Sequence, residues 1–391
     1  MKGPVMLART LFPLLVFASL SLAGNFAAAC GPYGDLDEDA IVDRWFGPGP
    51  RGLDRALEMY DNVEDDEARA ALEPMVDRVA GQRGAVVSRL YWYTDLQQAQ
   101  AAAAASHRPI LSLRLLGKLT DEFSCANSRF FRTALYSNKH LSDYLRDHFV
   151  LHWQSVRPVP RVTIDFGDGR KIQRTVTGNS AHYVLDENGR PLDVLPGLYG
   201  PAAFQAWLER SEQFLLASKS GGVNPDRLAE YHARQIEEID ARFAHDAAAI
   251  AAAVTSPDEL TDAQWTAIAA LHAEDAALDG ASVQVMRREH PDAFAAGRLA
   301  LSKRVVEDPI LQLVRTFESS LALDAVKNEY TLHRQAHQWF VAGQAPADLD
   351  SLNQRVYAEL FLTPSSDPWL GLAPAGVYTA LEGDGINFAT E

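Results

Sequence analysis

Between Ala85 and Leu116 the sequence changes its character twice in a short span. AVVSRLYW (Ala85–Trp92) is β-prone, DLQQAQAAAAASH (Asp95–His107) consists almost wholly of strong helix formers, and ILSLRLL (Ile110–Leu116) is an apolar run of strand length. Thr94 or Asp95 can cap the helix, and Arg108-Pro109 ends it. A chain held to this order is an α/β chain.

The alternation continues. A polar loop, GKLTDEFS, leads to Cys125 at the start of a helix in EFSCANSRFFR. A second helix is expected over about His140 to His148, and FVLHWQSV (Phe149–Val156) reads as another strand. RVTIDFGDGRKIQRTVTG (Arg161–Gly178) alternates apolar and polar residues around GDG, a hairpin signal that explains DFGDG better than a calcium or sugar loop. AHYVLDENGRPLDVL repeats the pattern with Asn188-Gly189 at its turn, and a helix follows from about Pro201.

From Pro225 to Phe361 the pattern is almost entirely helical. Pro225 suits a first turn, and SPDE and TDAQ, starting at Ser256 and Thr261, read as capping boxes. Further helices are expected over about Asp292 to Val306, Ile310 to Phe340 with breaks, and Leu349 to Phe361. The last segment is rich in Pro and Gly but carries Trp369, Leu370, Leu372, Val377 and Tyr378, so it is expected to pack irregularly on the body. Before the α/β stretch, Gly31 to Gly52 reads as a linker and Leu53 to Val79 as one or two helices. Asp35, Asp37 and Asp39 resemble the start of a calcium loop, but Ala40 and Phe46 stand where that loop needs Gly and Glu.

The first thirty residues differ from the rest. Lys2 and Arg9 precede the apolar run LFPLLVFASLSL and the small residues of AGNFAAAC. This is the pattern of a secretory signal, residues 1–29, with Cys30 the acceptor if AAAC acts as a lipobox and a free thiol otherwise. The expectation is an exported protein of the periplasm or outer membrane, touching membrane only through a lipid on Cys30. Cys125 is the only other cysteine, and a disulfide between the two stays open on the sequence. The net charge of −16 argues against nucleic acid as a partner. No Gly-rich phosphate loop and no GxSxG elbow occur, and no cofactor is expected.

The order of strand, Ala-rich helix, Arg-Pro, strand, loop, helix-start cysteine, strand, hairpin and helix resembles a secreted thioredoxin-like domain. Trp92, Asp95, Arg108, Pro109, Cys125 and the segment YVLDENGRPL carry that resemblance, over about Ala85 to Leu216. It implies a thioredoxin-like unit over 85–219, preceded by a linker and helices over 30–84 and followed by an all-α domain over 220–361 and a tail over 362–391. Two departures bear on function. Ser128 stands where the family has its second cysteine, and Ser180 or Asn179 where it has a cis-proline. A lone thiolate at Cys125 can attack a disulfide, but Ser128 cannot release the adduct. The resemblance therefore implies a degenerate domain used as a scaffold for an envelope protein partner. The alternative is a monothiol thiol–disulfide oxidoreductase or isomerase using Cys125.

Two further groups are candidates. His182 lies close to the position that in such a fold faces the cysteine and is a candidate base for it, in a strand expected beside that of His152. Glu329, His333 and His337 recur every four residues, share one helix face, and are candidate metal ligands.

Overall fold

The computed structural model describes residues 46–47, 49–176, 178–218, 223–289, 309–370 and 372. The signal segment, Cys30, the helix expected over Asp292 to Val306, and Val377 and Tyr378 lie outside them.

Two helices come first, α1 (Pro50–Asp61) and α2 (Asp66–Ala80), then a single turn, α3 (Ala85–Ser88). That turn corrects the β-prone reading of AVVSRLYW. Asp77 accepts a hydrogen bond from the Ala85 amide, and Ala85 is drawn into a small core with Leu53, Ala56 and Val76, which leaves only β1 (Trp92–Tyr93) as strand. α4 (Leu96–Ser106) starts at Asp95, whose carboxylate caps the Gln98 amide at 2.8 Å. β2 (Ile110–Leu116), α5 (Ala126–Phe130), α6 (Lys139–His148) and β3 (Val150–Arg157) follow. α5 runs straight on into a π-helical turn, Phe131–Leu135.

β1, β3, β2, β6 (Ser180–Leu185) and β7 (Pro191–Pro196) form one five-stranded sheet in that order. β1, β3 and β2 are parallel, while β6 and β7 are antiparallel additions. β2 therefore separates β3 from β6, so His152 and His182 are not on adjacent strands as expected. β2, β6 and β7 are buried along their whole length, the signature of a sheet covered on both faces. β4 (Arg161–Asp165) and β5 (Lys171–Thr175) pair only with each other, as a hairpin outside this sheet.

Helices cover both faces: α7 (Pro201–Ser218), α8 (Pro225–Ala249), α9 (Asp262–Leu271), α10 (Gly280–Glu289), α11 (Pro309–Asn328), α12 (Arg334–Val341) and α13 (Leu349–Arg355). One face carries Leu111, Leu113 and Leu115 of β2 against Phe131 of the π turn, Phe204 and Trp207 of α7, Phe243 of α8 and Tyr330. The other carries Ala181 and Tyr183 of β6 against α4, Leu228 and Tyr231 of α8, Trp339 of α12 and Leu352 of α13. The C-terminal helices thus share both apolar clusters with the sheet. Of the two expected capping boxes, only Thr261 with Gln264 forms one; Ser256 opens a 3-10 turn instead. The segment Thr363–Leu370 docks through Arg157, which donates to the carbonyls of Thr363 and Asp367, and through buried Leu370. Trp369 and Leu372 stay exposed. No helix among the described residues is long and apolar enough to cross a membrane.

Candidate functional site

Cys125 is the N-cap residue of α5, at the end of β2, where its amide donates to the Leu116 carbonyl. Its thiol is fully buried. Sγ lies 3.1 Å from Ser180 Oγ, at the first residue of β6. Ser128, also buried, donates its hydroxyl to the Cys125 carbonyl at 2.9 Å and so turns to the backbone rather than to the thiol.

His182 lies two residues along β6 from Ser180. Its Nε2 is 2.7 Å from Tyr136 Oη, and its ring is boxed by Phe131 and Phe204. Burial pushes it down to about 3, so it is neutral at physiological pH. The strand register places Ser180, not His182, against the cysteine, so no Cys-His pair forms.

A second constellation lies where α12 crosses β7. Glu329–His333 forms a π-helical turn between α11 and α12. His333 and His337 both project into the interior and both are about 1% exposed, with ring centroids 4.1 Å apart. The expected third partner, Glu329, faces outward from this pair. Its Oε2 receives His333 Nδ1 at 2.9 Å, and its Oε1 pairs with Arg242 at 3.1 Å. The third inward donor is Asp193 of β7. Its Oδ1 lies 3.8 Å from His333 Nε2 and 3.9 Å from His337 Nδ1. One donor atom from each of Asp193, His333 and His337 lies within 4.8 Å of the others.

Tyr231 donates to Asp193 Oδ2 at 2.8 Å, and the Val194 amide donates to Oδ1. His232 of α8 stacks on Phe340, places its Nδ1 2.6 Å from His337 Nδ1 and its Nε2 3.1 Å from the Leu192 carbonyl. Burial opposes the charge on Asp193, but His337, His333 and His232 outweigh it and hold the carboxyl below the usual range. Burial would likewise lower His333, but the Glu329 and Asp193 carboxylates raise it. Burial and the neighbouring His333 push His337 well down. One positive charge thus sits between two carboxylates, and the other two rings stay neutral.

The helical spacing pointed to His333 and His337 but missed Asp193 and His232. Asp193 did leave a signal: a carboxylate inside the apolar strand PLDVLP must be paired if it is buried. Glu329 also lines a cavity of about 220 Å³, together with Tyr199, Trp207, Arg210 and Arg242. No family model, no curated protein and no solved structure matches this chain.

Proposed function

We propose that this is an exported envelope protein whose thioredoxin-like α/β unit performs no thiol chemistry and binds another protein. The sheet order β1-β3-β2-β6-β7, with its last two strands antiparallel and a cysteine opening the helix after β2, supports the thioredoxin-like reading. The signal-like residues 1–29 and Cys30 support export, with a lipid on Cys30 as the anchor.

The observation that carries the binding role is the β4–β5 hairpin. Val162, Ile164 and Phe166 alternate along one strand, and Ile172 and Val176 along the other, with Ile164 directly opposite Ile172. These five are among the eleven large apolar side chains exposed in the described residues, at 38–52%. Single exposed apolar side chains are ordinary, but a row of them on one face of a free ribbon is a contact surface. Four cations, Arg161, Arg170, Lys171 and Arg174, border it; the first three pair with Asp121, Asp168 and Asp165, which leaves an excess of one positive charge on a chain of net charge −16. The complementary partner is a protein surface with an apolar centre and an acidic rim. The monothiol enzyme reading takes second place, because a substrate disulfide must reach the sulfur and Cys125 is closed off.

The test is a photo-crosslinking residue at Ile164 in the exported chain, compared with the same residue at exposed Leu271 of α9. A discrete adduct from position 164 only, abolished by Phe166→Asp with Ile172→Asp and reproduced with the purified partner, supports the reading. Equal adducts from both positions, or none from 164, overturn it. Mass spectrometry of the mature N-terminus reads the anchor: an uncleaved chain overturns export.

A further inference from the structure

We propose that Asp193, His333 and His337 form a binding site for one first-row divalent transition-metal ion such as zinc. The argument rests on where the lone pairs are left. His232 Nε2 faces a carbonyl oxygen, which only accepts, so Nε2 carries the proton and Nδ1 is an acceptor. His337 Nδ1, 2.6 Å away, must then be the donor, which leaves His337 Nε2 with a bare lone pair. His333 donates from Nδ1 to Glu329, which leaves Nε2 as its remaining donor atom. Both Nε2 atoms are buried and have no hydrogen-bond partner. Tyr231 takes up Asp193 Oδ2, while Oδ1 accepts the Val194 amide and keeps a second lone pair, 3.8 Å from His333 Nε2 and 3.9 Å from His337 Nδ1.

Two orphaned imidazole nitrogens and a carboxylate oxygen are an N₂O ligand set, on three residues that each bring a donor atom within 4.8 Å of the others. Orphaned polar atoms this deep are costly, and an ion satisfies both nitrogens at once while taking a lone pair of the carboxylate. The surroundings are those of a metal site rather than a chance cluster. Glu329 and His232 each take the second nitrogen of an imidazole and thereby orient it, and Tyr231 does the same for the carboxylate. Three protein ligands leave a fourth position. Glu329, which holds His333, also forms part of the wall of a cavity lined by Arg210 and Arg242.

The experiment uses the full mature chain, without a histidine tag, stripped of metal and titrated with zinc and then cobalt. The expected result is one equivalent of zinc and, with cobalt, the intense visible absorption of a site of low coordination number. Asp193→Asn and His337→Gln abolish uptake, with folding checked by near-UV circular dichroism. Glu329 is a positioning residue, and Glu329→Gln retains one equivalent but weakens it by about 10–100-fold. Failure of the wild-type chain to take up stoichiometric zinc overturns the proposal, as does a cobalt spectrum no different from the hydrated ion. Unchanged uptake in folded Asp193→Asn also overturns it. If both ligand variants fail to fold, the wild-type and Glu329→Gln cobalt spectra decide alone.

Discussion

Cys125 Sγ and Ser180 Oγ lie 3.1 Å apart, and neither side chain touches solvent. The sulfur at the start of a helix, the place where a thiolate is favoured, is thus committed to an internal hydroxyl. Iodoacetamide should leave Cys125 unmodified in the native protein, carrying Cys30→Ser, and label it only after unfolding. Labelling of the folded protein at the rate of a free thiol would contradict this.

The same pair has a stability signature. Cys125→Ala and Ser180→Ala each leave one buried polar group unpaired, at a cost of about 1–3 kcal/mol. The double variant should cost less than the sum, because the two share one interaction. Strict additivity in chemical denaturation would mean that the contact contributes nothing.

Arg114 lies in β2 with its side chain almost wholly buried, Nη1 directed to Gln154 and Nη2 2.9 Å from Asp350 of α13. Burial lowers its pKa, and the Asp350 carboxylate opposes that. Asp350→Ala strands a buried cation. Since Asp350 is itself largely exposed, the loss should be about 1–3 kcal/mol, below that of a fully buried pair. Asp350→Glu should recover part of it, and a neutral Asp350→Ala would sink the idea.

His152 and His182 are both pushed down to about 3, chiefly by burial. Each stays neutral in the folded protein while the unfolded chain takes up a proton near 6.5. Stability is therefore lost as pH falls from about 6.5 towards 3, by about 1.4 kcal/mol per pH unit for each ring. Urea midpoints at pH 7 and pH 5 should differ less for His152→Gln with His182→Gln than for wild type. Equal differences would show that these rings do not carry the acid sensitivity.

Gly200 precedes α7 where the backbone of the Ala273–Ala276 turn passes closest. A Cβ there would stand 2.2 Å from the Asp275 carbonyl oxygen and 2.7 Å from Ala276 Cα. Both are backbone atoms, so Gly200→Ala should cost about 1–3 kcal/mol through a forced shift. Gly280, at the start of α10, meets nothing within 4 Å, and Gly280→Ala should be neutral or slightly stabilising. Equal thermal shifts for the two would refute the contrast.

Much local chemistry was legible where a signal sits within a few residues, though the box expected at Ser256 gave way to a 3-10 turn. Asp95 and Thr261 cap the helices they precede, because a side-chain oxygen needs only the next turn's amide. The hairpins at GDG and Asn188-Gly189 follow from turn chemistry, and the His333–His337 pair from the repeat of a helix. Ala85–Ser88 was misread because its apolar side chains answer to Leu53 and Val76, not to their own β propensity.

The tertiary structure decided everything that depends on which side chains meet across the fold. Ser180 and His182 lie on the same face of β6, so which of them reaches Cys125 is a matter of a two-residue shift along the strand. Burial of the thiol depends on helices far downstream closing over the sheet. Asp193 and His337 are separated by most of the helical half of the chain, and no local pattern announces that β7 will present its carboxylate to α12. A buried charge obliges the chain to supply partners, but the sequence does not name them; the packing of α8 and α12 on β7 does.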